Sequence, residues 1–301
     1  MNALALALAV ALAMPATALR APSTHFTFRF APTDGASWIE TERQTKMTET
    51  GAGLRRVIFQ QSRTRVTAHR IPGGWRLDHK VLGVKLKRDG HDESDVMSGL
   101  VGLEMSLVTD LKGQLKRIEG LEKMTKAIGA GLPSLVGLAL ETFGDTGQIE
   151  ASIREEWTDR IGYFAGMEAE VGQVWVGTGT MGSVHGPIQY HAATRVTDRM
   201  PYGGASCVRL RFVSHVNPNA LGKISAEAAE KARAAAKPLE GSRDVEYASE
   251  GERILDPTTM MFRRERIFKT TKIWMDLPLV GRAAVTNEEQ SETVWDYRDQ
   301  R

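Results

Sequence analysis

The feature that most constrains this chain is a succession of long segments with a two-residue period, separated by tight-turn residues. In 25–30, Phe26, Phe28 and Phe30 alternate with polar residues, which is the pattern of a half-buried strand. Runs of similar character follow at 38–49, 54–71 and 75–88. Asp34-Gly35, the glycines at 51 and 53, Pro72-Gly73-Gly74 and Asp89-Gly90 punctuate them. Strand, tight turn, strand predicts an antiparallel meander. The many charges within these runs, among them Arg55, Arg56, Arg63, Arg65 and Arg70, fit one wet face opposite one apolar face.

Against this background, 121–164 reads as sustained helix, and 127–140 within it carries no charge. Gly131 and Pro133 divide it, because proline removes a backbone donor and crowds the preceding turn. Beyond a capping-box spacing of Asp145 and Gln148, the line Ile149, Ile153, Trp157, Ile161 and Phe164 predicts an amphipathic helix. Strands are then expected at 171–176, 188–198 and 205–216. A helix from Asn217 to about Lys237 follows, buried along Leu221, Ile224, Ala228, Ala232 and Ala235. Three more strands, at 243–255, 260–275 and 282–297, end the chain. The expected fold is α+β: a large curved antiparallel sheet, half-barrel-like, with helices on its concave face.

The first residues form an apolar run from Ala3 to Met14, followed by Pro15 and Ala16-Thr17-Ala18. This reads as a signal peptide over 1–18, leaving 19–301 as a single β-rich domain with two halves, 24–165 and 166–301. The run is too short for a membrane span. The expected location is periplasmic or extracellular. With Cys207 far from this segment, no lipid anchor is expected. One cysteine allows no internal disulfide, and its strand setting points to a buried, inert thiol. A net charge of +2 is too mild for a nucleic-acid partner.

Catalytic motifs are weak. Gly177-Thr178-Gly179-Thr180-Met181-Gly182 matches a dinucleotide fingerprint, but no helix can open after it, so a turn between strands is expected. His185, His191 and His215 lack metal-ligand spacing. Ser206 lies in a strand rather than at an elbow, and Glu155 and Glu156 are adjacent on a helix and diverge. In 262–269, Phe262, Arg264, Arg266 and Phe268 are expected on one face, with Arg263, Glu265, Ile267 and Lys269 on the other. No catalytic residue, cofactor or metal ligand is assigned.

Three stretches carry a resemblance: 110–120 (DLKGQLKRIEG), 171–175 (VGQVW) and 255–259 (LDPTT). In this order they resemble the "D.kG.v..i.G" hairpin, "vGd.W" strand and "fD..tG.l" hairpin of a family of uncharacterised bacterial envelope proteins. Gln173 stands in place of the usual acid, and Met260 in place of the last turn's glycine. More distantly, the plan is similar to the LolA, LolB and LppX lipoprotein carriers. That resemblance implies an open half-barrel whose helices cover acyl chains, and it supplies no catalytic residue. The reading that follows is a non-catalytic envelope protein binding a lipid or other apolar ligand between sheet and helices, with Ile128, Leu132, Leu135, Leu138 and Trp157 as candidate liners. The competing classes are a structural or protein-interaction module with an envelope partner, and a hydrolase of unknown class.

Overall fold

The structure, a computed structural model, describes residues 25–51, 53–131, 146–181, 188–235, 245–277 and 281–297. The first half contributes β1 (His25–Thr27), β2 (Ser37–Thr50), β3 (Arg55–Ile71), β4 (Gly74–Arg88), β5 (His91–Asp92), β6 (Glu104–Asp110) and β7 (Leu115–Glu119). Helices α1 (Leu121–Gly131) and α2 (Thr146–Trp157) follow, and a π turn, Thr158–Gly162, prolongs α2. The second half runs β8 (Glu168–Glu170), β9 (Val174–Met181), β10 (Ile188–Tyr202), β11 (Ala205–His215), α3 (Ala226–Ala235), β12 (Val245–Asp256), β13 (Met261–Leu277) and β14 (Gly281–Asp296).

All but two strands join one twelve-stranded sheet in the order β7-β6-β4-β3-β2-β14-β13-β12-β11-β10-β9, with β5 beside β4. Every pairing in it is antiparallel, and the order ends in two separate edges, so the sheet is open. The expected α+β class with a large curved antiparallel sheet holds. The two meanders meet where β2 pairs with β14, which joins opposite ends of the chain by register pairs such as Glu40 with Trp295. Bulges at Arg63/Thr64, Val196/Asp198 and Ile254/Leu255 add local twist, which helps curl a sheet this wide.

The main core lies on the inner face, at the end of the sheet bearing the 72–73 and 257–260 turns. Trp38, Val66, Ala68, Leu77, Leu107, Leu210, Leu255, Phe262 and Trp295 are buried there. The Phe26, Phe28 and Phe30 segment threads across this end. The Phe28 amide donates to Met167 O (2.9 Å) and the Arg29 amide to Pro257 O (2.8 Å). Phe28 packs against Phe164 and Trp175. β1 pairs with β8 as a separate two-stranded sheet.

The helix expected from Asn217 divides. Asn217 Oδ1 accepts from the Asn219 amide, as a cap should, but the first turn, Pro218–Lys223, is a 3-10 helix. Ser225 then caps α3 anew through the Ala228 amide (3.0 Å). Leu221, Ile224, Ala228 and Ala232 pack with Ala193, Val213, Val174 and Val176, all on the outer face. Thus α3 covers the outside near the β9 edge, while α2 and the π turn press on the inside. The strand expected at 171–176 also differs: Gly172, at φ +95°, makes a turn between β8 and a longer β9.

Candidate functional site

The inner face holds a cavity of about 230 Å³ between β2, β3, β4, β6, β14 and the α2–π-turn segment. Period-two alternation puts Trp38, Glu40 and Glu42 of β2 on one face, level with Val66, Thr64 and Ser62 of β3. One strand further, His79 lies beside Val66 and Met105. The 3.6-residue period of α2 brings Ile153, Trp157, Arg160 and Ile161 down as the opposite wall. Aromatic rings pair with one another along the lining. Trp38 meets Tyr297 with centroids 5.5 Å apart, Phe262 meets Trp295 at 5.4 Å, and Phe30 meets Trp157 edge-on at 5.6 Å.

Of the residues expected to line a cavity, Trp157 does so, and its indole Nε1 donates to Gly113 O (2.8 Å). Gly113 belongs to the Asp110 turn, whose carboxylate accepts from the Lys112 and Gln114 amides (2.9 Å each). A side chain at Gly113 would collide with Phe30, 2.8 Å from the position of a Cβ, and its φ is +80°. This hairpin is therefore an anchor for α2. Leu132, Leu135 and Leu138 lie outside the described residues, as do residues 1–24 and His185. Ile128 lies in α1, and its side chain is likewise outside what is described.

A charged seam under α2 escapes sequence reasoning altogether. Glu265 of β13, 1% exposed, is held by two guanidiniums: Arg160 Nε and Nη2 donate to its Oε2 (3.0 and 2.6 Å) and Arg253 Nε to its Oε1. Arg253 also donates to Asp159 O (2.9 Å) and Oδ2 (2.7 Å), inside the π turn, and stacks over Phe212. Arg160 pairs with Glu156 (2.7 Å), reaches Glu40 at 3.9 Å and lies over the Trp295 ring. Burial alone would raise the Glu265 carboxyl, but the two cations outweigh it and hold it at about 2. Burial pushes Glu40 the other way, up to about 7 against the pull of Arg160, with Glu42, Glu156 and Glu265 adding repulsion. Glu42 is raised by burial as well. Burial drives His79 down to about 4, so it is neutral at physiological pH.

The seam was hidden by a bulge. Leu255 pairs with Phe262 and Ile254 with Arg264, leaving Arg263 unmatched. Phe262 and Glu265 therefore share the inner face, where strict alternation assigns them to opposite ones. Arg253 sits directly opposite Glu265 across that bulged ladder, a pairing that no local spacing in 253–265 announces.

The other sequence motifs resolve without chemistry. Gly177 and Gly179 lie in β9 rather than in a turn or a phosphate loop. A Cβ at Gly179 would lie 2.4 Å from the Tyr190 ring, so that glycine makes room for an aromatic. His191 and His215 face each other on the outer side of β10 and β11. Among the described residues, no group of three or more His, Cys, Asp or Glu side chains is placed to hold a metal. Cys207 is fully buried, as expected, and burial raises its thiol. Among the described residues, no helix is long and apolar enough to cross a membrane.

No protein family matches the chain, and no curated protein matches its sequence. Among solved structures, it is similar to lipovitellin, in a study of its lipid–protein interactions, at 8% identity over 88% of this chain and 25% of that one, with a TM-score of 0.48. The chain thus spans about a quarter of that protein. It is also similar to a Bacteroides fragilis protein described as exported, with a YmcC-like fold (10% identity, 90% and 98% coverage, TM-score 0.24). A third likeness is to OccK11 of Pseudomonas aeruginosa (5% identity, 90% and 99% coverage, TM-score 0.16). At such identities and scores, function has to be argued from the site itself.

Proposed function

We propose that this chain is an exported, non-catalytic envelope protein that holds a lipid or other apolar ligand between its sheet and α2. The supporting observation is the aromatic-walled cavity on the inner face, lined by Trp38, Phe262 and Trp295 among others. Ligand sites combine a concave apolar lining with a few placed polar groups, and here Glu40, Glu42 and His79 supply them. In this reading 1–18 is a cleaved signal peptide and 19–301 a single β-rich domain.

Purification from envelope extracts followed by native mass spectrometry tests the proposal. The expected result is a mass above that of the polypeptide, lost on organic extraction and restored by incubation with fatty acid or phospholipid. Polypeptide mass alone, with no uptake of either, would overturn it and leave the interaction-module reading in front.

A further inference from the structure

The cavity's charge and its unsatisfied donors specify more than an apolar occupant. Among its described lining residues, three carboxyl groups, Glu40, Glu42 and Glu156, face a single cation, Arg160. That guanidinium is already committed to Glu265 and to Glu156, at 2.6 and 2.7 Å, and it meets Glu40 only at 3.9 Å. The site therefore carries more carboxyl groups than cations, and a buried carboxylate without a partner is costly. Trp38, Trp157, Trp295, Tyr297 and Phe262 also line it, and aromatic faces attract cations through their quadrupoles. The arrangement already accommodates one such contact, with the Arg160 guanidinium 5.7 Å from the Trp295 centroid.

Two polar atoms point to what else the occupant carries. Trp38 is 6% exposed, and its indole Nε1–H is buried with no acceptor among the described residues. His79 Nε2 is likewise buried with no partner among the described residues. Both residues line the cavity. Buried donors and acceptors are rarely left unmade, so these two side chains bring unmet hydrogen-bonding capacity to its wall. An ammonium satisfies the carboxylates and the neutral imidazole; a neighbouring oxygen accepts from the indole.

Building on the apolar-ligand reading of this same site, we infer that the cavity takes a cationic amphiphile of the amino-alcohol class: an alkyl tail, an ammonium set between Glu40, Glu42 and the aromatic rings, and an adjacent hydroxyl at Trp38. The elevated proton affinity of Glu40 is the state expected of this carboxyl before the cation arrives, since a bound ammonium would favour its ionised form.

The experiment titrates the full chain at neutral pH with N-decylethanolamine, decanoic acid and 1-decanol, following the intrinsic fluorescence of the cavity tryptophans and confirming stoichiometry by calorimetry. The amine is expected to bind about tenfold or more tightly than either alternative, since a charge-assisted contact and a cation–π contact are lost with the others. Glu40→Gln is expected to remove most of that preference, and an unchanged near-ultraviolet dichroism spectrum of the variant reports an intact fold around the cavity. Decanoic acid or 1-decanol binding as tightly as the amine, or a preference that survives Glu40→Gln, would overturn the head-group assignment and leave the apolar-ligand reading standing. Binding of none of the three would overturn both.

Discussion

Met260 stands where the resembling family's last hairpin has glycine, and it shows how one residue resolves competing demands. Its backbone lies at φ +54°, a region that costs an L-residue roughly 1–2 kcal/mol, yet its side chain is 1% exposed within the inner core. Removing a buried Met side chain costs about 2–5 kcal/mol, so burial wins. Met260→Gly is therefore expected to lower stability by about 1–3 kcal/mol despite relieving the backbone, measured as a fall in the urea midpoint at unchanged slope. Glu40 gives a second prediction. Its folded-state value near 7 lies above the ordinary 4.5, so the folded protein retains the proton longer. Stability then falls as pH rises from about 4.5 to about 7, and the whole penalty is present above that window. Glu40→Gln should raise stability at pH ~8 by on the order of 2 kcal/mol, and should have little effect near pH ~4. Equal effects at the two pH values would contradict the burial of that carboxyl.

At the scale of elements, α2 is attached by two different means, of which only one was visible in the sequence. The apolar line Ile153, Trp157, Ile161 and Phe164 reads directly from its spacing, because a helix that must bury one face repeats every three or four residues. The ionic attachment could not be read this way. It requires the π turn that offers Asp159 O to Arg253, and the β13 bulge that turns Glu265 inward, neither of which has a periodic signature. Arg160→Ala leaves Glu265 buried with one of its two cations and is expected to cost about 3–5 kcal/mol, more than any solvent-exposed pair such as Lys80–Glu104. The pH dependence follows from the depressed Glu265 carboxyl. Its contribution is complete above the ordinary 4.5 and is lost as pH falls towards about 2, so acid should release α2. Near-ultraviolet dichroism of the cavity tryptophans across that interval, compared with Glu265→Gln, would show it; a wild-type signal as flat as the variant's would count against the seam.

For the molecule as a whole, the sheet was legible because each strand announces itself locally, while the central β2–β14 pairing was not, since nothing in either segment names a partner more than two hundred residues away. The strands that meet at that junction are asymmetric along their length. Buried positions on β2, β3 and β14 cluster at one end, at Trp38, at Val66 and Ala68, and at Thr293 and Trp295. Residues 44–50, 55–61 and 282–290 lie towards the other end of the same strands and are half-buried or exposed. Backbone ladders are continuous along both halves, so hydrogen bonding alone would protect them alike. Local opening depends on apolar contact as well as on ladders, and it starts where that contact is thin. Native-state hydrogen exchange should therefore be slowest around 37–40, 64–68 and 293–296, and faster in the opposite halves of these strands. An occupant of the cavity at Glu40, Thr64 and Trp295 sits at the boundary between the two regimes, so it should slow the amides just beyond that boundary more than those in the core, whose exchange is limited by global unfolding. Uniform protection along β2 and β14 would mean that the sheet opens only as a unit, and that the end bearing Trp38 is no more anchored than the other.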